Sequence, residues 1–160
     1  MVRGGHRSIL ADARRRDMRD SLNRVKGREW FRPVAPMILA EDVHLYFDVP
    51  PGISFQFMSF APRVRPRAIQ EIPSGVHVDN TARVQTVGPS DCEHARKLLV
   101  LFKQQTGIPV VLNTSFNGPG EPIVETPLDA VRALIPLGLD ALALGNYWIE
   151  PSSGYKGSSD

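Results

Sequence analysis

Apolar positions along this chain switch between a period near 3.6 and a period near 2, and the switches mark out the predicted elements. Residues 8–11 read as a short strand, after which Asp12 is placed as the N-cap of a helix carrying Met18, Leu22 and Val25 on one stripe. Lys26-Gly27 ends that helix. Residues 33–39 read as a buried strand, 40–47 as a short helix or irregular turn, and VPPG at 49–52 as a break. Strand character is expected again over 55–64, a loop with one helical turn over 65–74, and a strand pair or one bent strand over 76–87, turning at Asp79-Asn80. The clearest helix follows. Ser90 and Glu93 have capping-box spacing, Ala95, Leu98, Leu99 and Phe102 keep helical period, and Gly107 suits the position after the last turn. Thr126-Pro127-x-Asp129 opens another helix running to about Ile135, and residues 139–149 read as a strand interrupted at Gly145.

One junction stands apart. Residues 108–112 are almost all apolar, as in a strand buried on both faces, and run directly into Asn113, Thr114, Ser115 and Asn117, then Gly118 and Gly120. In open α/β sheets ligands collect just beyond the carboxyl ends of such strands, and short amides and hydroxyls supply both donors and acceptors there. A polar turn closed by its own side chains has the same composition, so the local sequence leaves both readings open.

Composition narrows the class. The chain has 160 residues, 42% of them hydrophobic, and a domain of this size buries roughly 70% of the surface its unfolded form exposes. One domain over residues 1–151 with a frayed tail over 152–160 is expected. The net charge of +2 conceals arginines crowded near the start, at positions 3, 7, 14, 15, 16, 19, 24, 28 and 32, so this end should attract anions. Cys92 is the only cysteine and has no second thiol for a disulfide or thiolate cluster, which suggests a reducing cytoplasm. No apolar run reaches the roughly 18 residues of a membrane span, and the start lacks the apolar segment of a secretory signal. The histidines, at 6, 44, 77 and 94, lack i,i+4 spacing and read as solvated or hydrogen-bonded rather than as metal ligands.

Two short patterns bear on chemistry: Lys26-Gly27-Arg28 after the first helix, and Ser115-Phe116-Asn117 after the buried strand. Arginine offers phosphoryl oxygens a planar fork and lysine a compact point charge. Serine and asparagine add neutral donors. Cations that merely complement a helix C-terminus would carry the same Lys-x-Arg pattern.

Taken in order, the segments HRSILADAR, LNRVKGREWFRPVAPMIL, HVDNTARVQTV, VVLNTSFNGPGEPIVETPLDAV and LDALALGNYWIE resemble the C-terminal region of the O-carbamoyltransferases that modify antibiotics and nodulation factors. The resemblance spans residues 5–151. It implies a YrdC-like fold, a mixed α/β twisted sheet with packed helices, similar to threonylcarbamoyl-adenylate synthases. It also implies binding of ATP, as its magnesium complex, and carbamoyl phosphate, with formation of carbamoyl-adenylate and release of pyrophosphate. On that basis Lys26, Arg28, Ser115 and Asn117 are expected to be catalytic, with Arg7, Arg32, Arg83 and Asn113 binding substrate and nucleotide. The family's metal is implied to belong to another domain. Glu121 is either a magnesium ligand or a loop anchor. His77 and Asp79 match the family's H-V-D-G, with Asn80 in place of glycine, a substitution that left-handed backbone tolerates.

Departures accompany the matches. The family enters this region through a G-P-R-A-L-G type lead-in, whereas this chain reads MVRGGHRS, so the first motif arginine is either lost or displaced to Arg3. The large N-terminal domain that transfers the carbamoyl group to a hydroxyl acceptor is not represented, so a partner domain or subunit is expected. Two other readings stand beside the enzymatic one. In the first, a non-catalytic module binds nucleotide or RNA, with interleaved acids and the lack of an aromatic platform weighing against RNA. In the second, an inactive remnant docks onto a transferase subunit.

Overall fold

The computed structural model describes residues 6–50, 53 and 55–152. The expectations for Arg3, for the second half of the VPPG break and for most of the tail therefore lie outside the described residues.

Four strands form a mixed sheet in the order β1 (Ser8–Asp12), β4 (Val110–Ser115), β2 (Ala35–Leu39), β3 (Gln85–Val87). β4 lies antiparallel to both neighbours, pairing Ser8 with Ser115 and Ala35 with Asn113, and β3 runs parallel to β2. The carboxyl end of β4 therefore meets the amino ends of the other three strands. Helices α1 (Met18–Val25), α2 (Val43–Tyr46), α3 (Pro66–Glu71), α4 (Glu93–Thr106) and α5 (Pro127–Leu134) complete this body, and β5 (Leu142–Leu144) and β6 (Tyr147–Ile149) form a separate hairpin.

Strand alternation sorts the core into two layers. Ile9, Ile38, Val110 and Leu112 face a larger layer holding Leu22, Tyr46, Ala68, Ala130 and Leu134 from the other helices, together with Phe47 just after α2. Met37, Leu39, Val87 and Val111 face a smaller layer closed by Ala95 and Leu99 of α4. The apolar run before Asn113 is apolar because both of its faces are covered.

Several boundaries differ from expectation, each for a local reason. Asp12 ends β1 and does not cap a helix: its carboxylate accepts the Arg14 backbone N–H at 2.9 Å and also binds the Arg14 guanidinium, and α1 starts only at Met18. The Ser90/Glu93 capping box does not form. Asp91 uses its carboxylate to hold Gly88 N–H at 2.6 Å and the Gln56 amide at 2.6 Å, and Cys92 becomes the N-cap of α4 without a side-chain bond. Residues 55–64 form no strand, contributing only isolated bridges between Phe47 and Val64 and between Arg63 and Thr81. Prolines 62 and 66 lack the N–H groups a ladder needs. Of residues 76–87 only the last three join the sheet, because His77 N–H bonds Thr81 O across a tight turn in which Asn80 takes φ +59°. The helix expected at Thr126 forms with its capping box intact, Asp129 N–H reaching Thr126 Oγ1 at 3.2 Å and Thr126 N–H reaching Asp129 Oδ2 at 2.9 Å.

Candidate functional site

A cavity of about 470 Å3 opens where the carboxyl end of β4 meets the amino ends of its neighbours, within the size range of small-molecule sites. Its wall takes Arg7 and Ser8 from the start of β1, residues 33–35 from the start of β2, Arg83 and Gln85 from the start of β3, and residues 113–115 from the end of β4. Arg28 closes another side. No carboxylate lines it among the described residues.

Arg28 is delivered by the way α1 ends. Gly27 takes φ +55°, and the helix closes with Arg28 N–H on Asn23 O at 2.8 Å and Gly27 N–H on Arg24 O at 3.0 Å, a Schellman motif. Buried Asn23 then holds the following loop, its Nδ2 donating to Trp30 O at 3.1 Å and Arg32 O at 3.0 Å. This reversal separates the two cations of the Lys-x-Arg pattern, turning Lys26 inward and Arg28 to the cavity.

Lys26 is 5% exposed, and its ammonium donates to Ser115 O at 2.8 Å, Ser115 Oγ at 3.1 Å, Asn117 O at 2.8 Å and Asn117 Oδ1 at 2.5 Å. Burial first, then the charge of Arg28, lowers its pKa to about 8. The resulting latch joins the end of α1 to the turn after β4. Ser115 Oγ donates to Asn117 Oδ1 at 2.6 Å, and the Asn117 amide reaches Glu121 O at 2.8 Å. Glu121 itself accepts Gly118 N–H at 3.1 Å, as a loop anchor does.

Five of the eight nominated residues therefore share the cavity: Arg7, Arg28, Arg83, Asn113 and Ser115. Lys26 and Asn117 stand behind its rim, and Arg32 is an exposed residue paired with Glu29 at 2.6 Å. Among the described residues Arg7, Arg28 and Arg83 are in no salt bridge, as is also true of Arg16, Arg24, Arg63 and Arg132 outside the cavity, whereas Arg14, Arg15, Arg19, Arg65, Arg67 and Arg96 each have a carboxylate partner. The cavity thus gathers cations whose charge is left for a ligand.

Beneath them runs a neutral chain. Asn113 Nδ2 donates to Gln85 Oε1 at 2.7 Å, and Gln85 Nε2 donates to Gln56 O at 3.1 Å. Spending the Asn113 donor in this way leaves its carbonyl oxygen as an acceptor. Gln56, Met58 and Gln85 were not nominated from the sequence. Gln85 lies two residues beyond Arg83 in the same segment and was legible there, but Gln56 and Met58 sit in a loop without a period. Arg7 and Met58 both adopt positive φ, +53° and +54°, and strained backbone of this kind concentrates at functional sites. Trp30 and Phe31, two and three residues after Arg28, are 67% and 58% exposed, so exposed aromatics do accompany the basic face.

Comparison with known proteins gives a consistent picture. A family model described as carbamoyltransferase C-terminus matches residues 4–151. Nodulation protein NolNO of Sinorhizobium fredii is 41% identical over 148 residues, covering 91% of this chain and 22% of the relative. NolO of Bradyrhizobium diazoefficiens is 40% identical over 91% of this chain and 27% of its own length. Nodulation protein U of Azorhizobium caulinodans is 41% identical over 72% of this chain and 20% of its own length. The chain thus spans about a fifth to a quarter of these relatives.

Proposed function

The chain belongs to the family of carbamoyltransferase C-terminal regions, and from that premise we propose that its arginine-lined cavity binds ATP and carbamoyl phosphate and forms carbamoyl-adenylate. The observation that carries this reading is the convergence of Arg7, Arg28 and Arg83, free of carboxylate partners, on one cavity at the end of β4. In the reaction, water releases phosphate from carbamoyl phosphate to leave carbamate. A carbamate oxygen then attacks the α-phosphorus of ATP, forming the new C–O–P linkage as the α–β anhydride breaks and pyrophosphate departs.

Charge on the phosphoryl oxygens is the quantity the protein must stabilise, and fixed cations aimed at it act most strongly where water is thin. Arg28, Arg83 and Arg7 supply that charge. Asn113, with its amide committed to Gln85, presents a carbonyl acceptor suited to the carbamoyl N–H group. Ser115 adds a hydroxyl at the rim. Lys26 and Asn117 act through the latch: they hold Ser115 and the start of the turn in place, so their role is positioning. Because the described lining holds no carboxylate, magnesium would enter on the nucleotide's phosphates. Transfer to a hydroxyl acceptor belongs to the remaining part of a longer transferase or to a separate subunit, with the cytoplasm as the compartment where ATP and carbamoyl phosphate are both supplied.

The test is pyrophosphate release by the purified chain with ATP, with and without carbamoyl phosphate, alongside binding of ATP by calorimetry. Release that requires both substrates is expected, falling about 100-fold or more in Arg28→Ala, since removal of one oriented charge donor costs about 10²–10³ in rate. Unchanged release and unchanged ATP affinity in both Arg28→Ala and Arg83→Ala would overturn the assignment. Exposed Trp30 and Phe31 favour one competing reading, an RNA-binding face, whose signature is binding that falls steeply with salt and is indifferent to ATP.

A further inference from the structure

A second set of side chains meets beside the cavity and takes no part in the chemistry above. His6 precedes β1, Cys92 caps α4 and His94 lies in its first turn, yet their ligand atoms all fall within 4.8 Å of one another. His6 Nδ1 is 3.9 Å from Cys92 Sγ, a contact between residues 86 positions apart. We propose that His6, Cys92 and His94 form a binding site for a divalent metal of the zinc class.

Geometry comes first. Zinc bonds of about 2.3 Å to sulfur and 2.0–2.1 Å to nitrogen in a tetrahedron place ligand atoms roughly 3.5 Å apart, so the trio needs shifts of only about 1 Å to close on an ion. His6 and His94 are exposed, while Cys92 is buried and fixes the centre. The packing that makes this meeting possible is independent of any metal. Ala95, Leu99 and Cys92 of the α4 segment pack with Val111 of β4, and Leu10 of β1 borders the same layer. That docking carries the first turn of the helix to the start of the edge strand.

Donor chemistry selects the ion. Two imidazoles and one thiolate suit zinc and its neighbours and do not suit magnesium or calcium, which take oxygen ligands. Neighbouring Asp91 does not complete the set, because its two oxygens already hold Gly88 N–H and the Gln56 amide. Three protein ligands leave a fourth position for water or another small ligand, the pattern of zinc sites that remain open.

The position is also informative. His6 lines the larger cavity, and Cys92 lines a neighbouring one of about 220 Å3, the two cavities sharing Gln56, Phe57 and Gln85. An ion there adds a positive charge next to Arg7.

Cobalt titration of the whole chain, stripped by chelator dialysis and carrying no histidine tag, tests the site. One equivalent is expected to give a sulfur-to-cobalt charge-transfer band with intense tetrahedral visible bands, both removed by equimolar zinc. Cys92→Ser should abolish the charge-transfer band. His6→Ala and His94→Ala, both at exposed positions, should each weaken affinity by more than about 100-fold, because even groups that only hydrogen-bond to metal ligands are worth about 10–100-fold. His44→Ala, at an exposed histidine elsewhere, should change nothing. Absence of the band in the wild-type chain, or a band and affinity untouched by both histidine variants, would overturn the proposal, and neither result bears on ATP binding by Arg28 and Arg83.

Discussion

Lys26 shows how much one residue's role depends on where its side chain ends. Its ammonium meets four oxygens of Ser115 and Asn117, so removing it leaves acceptors beside a buried site without donors. Lys26→Met is expected to destabilise the chain at pH 7 by about 1–3 kcal/mol, the usual cost of a buried polar group left unpaired. The effect has a pH signature. An unfolded lysine keeps its proton to its ordinary value of 10.5, whereas the folded chain releases it near 8. Between those values the unfolded chain binds more protons, so this residue's contribution to stability rises with pH through that window and is flat below it. Urea midpoints across pH 7–10 should therefore show the wild type gaining on Lys26→Met. A constant gap would mean that the lysine titrates normally when folded.

At the level of elements, the end of α1 decides which cation reaches the cavity. Gly27 does this through its φ of +55° and through close approach to the next loop: a Cβ added there would lie 2.9 Å from Cβ and Cγ of Pro119. Gly27→Ala is expected to cost about 2–3 kcal/mol, the left-handed penalty of roughly 1–2 kcal/mol plus the displacement of Pro119, and to weaken ATP binding as Arg28 moves. Gly107 is the matched control. It ends α4 at φ +77° with nothing within 4 Å of an added Cβ, so Gly107→Ala should lose only the backbone part and leave ATP binding intact. Equal losses from the two substitutions, measured by chemical denaturation, would remove Pro119 from the explanation.

Across the whole molecule the charge is nearly balanced at +2, but its distribution is not. Seven arginines outside the cavity pair with neighbouring carboxylates, while Arg7, Arg28 and Arg83 converge on the cavity with no carboxylate among its described lining. ATP affinity should consequently fall as salt rises, since partly exposed charges are screened over about 10 Å at 0.1 M. Affinity measured by calorimetry in low and high salt checks this, and Arg28→Ala should flatten the dependence. A salt response identical in wild type and variant would place the nucleotide elsewhere. Among the described residues no helix is long and apolar enough to cross a membrane.

Much of this organisation was legible in the residues themselves because it rests on local chemistry. The apolar run before Asn113 announced a strand covered on both sides, Thr126 and Asp129 announced a capped helix start, and Gly107 announced a helix end, each through interactions a few residues long. The family pattern further singled out Arg28, Arg83, Asn113 and Ser115. Local bonds that the spacing does not reveal misled: Asp91 holds Gly88 and α4 starts only after Cys92, and Asp12 holds Arg14 and α1 starts only at Met18. What only the tertiary structure decided was which side chains face one another. The Schellman turn parts Lys26 from Arg28, strand order brings Arg7, Arg83 and Asn113 to one end of the sheet, and the docking of α4 sets His6 beside Cys92 and His94. Spacing along a chain carries the period of a helix or strand, but contacts between residues 86 apart are set by core packing, for which sequence separation holds no ruler.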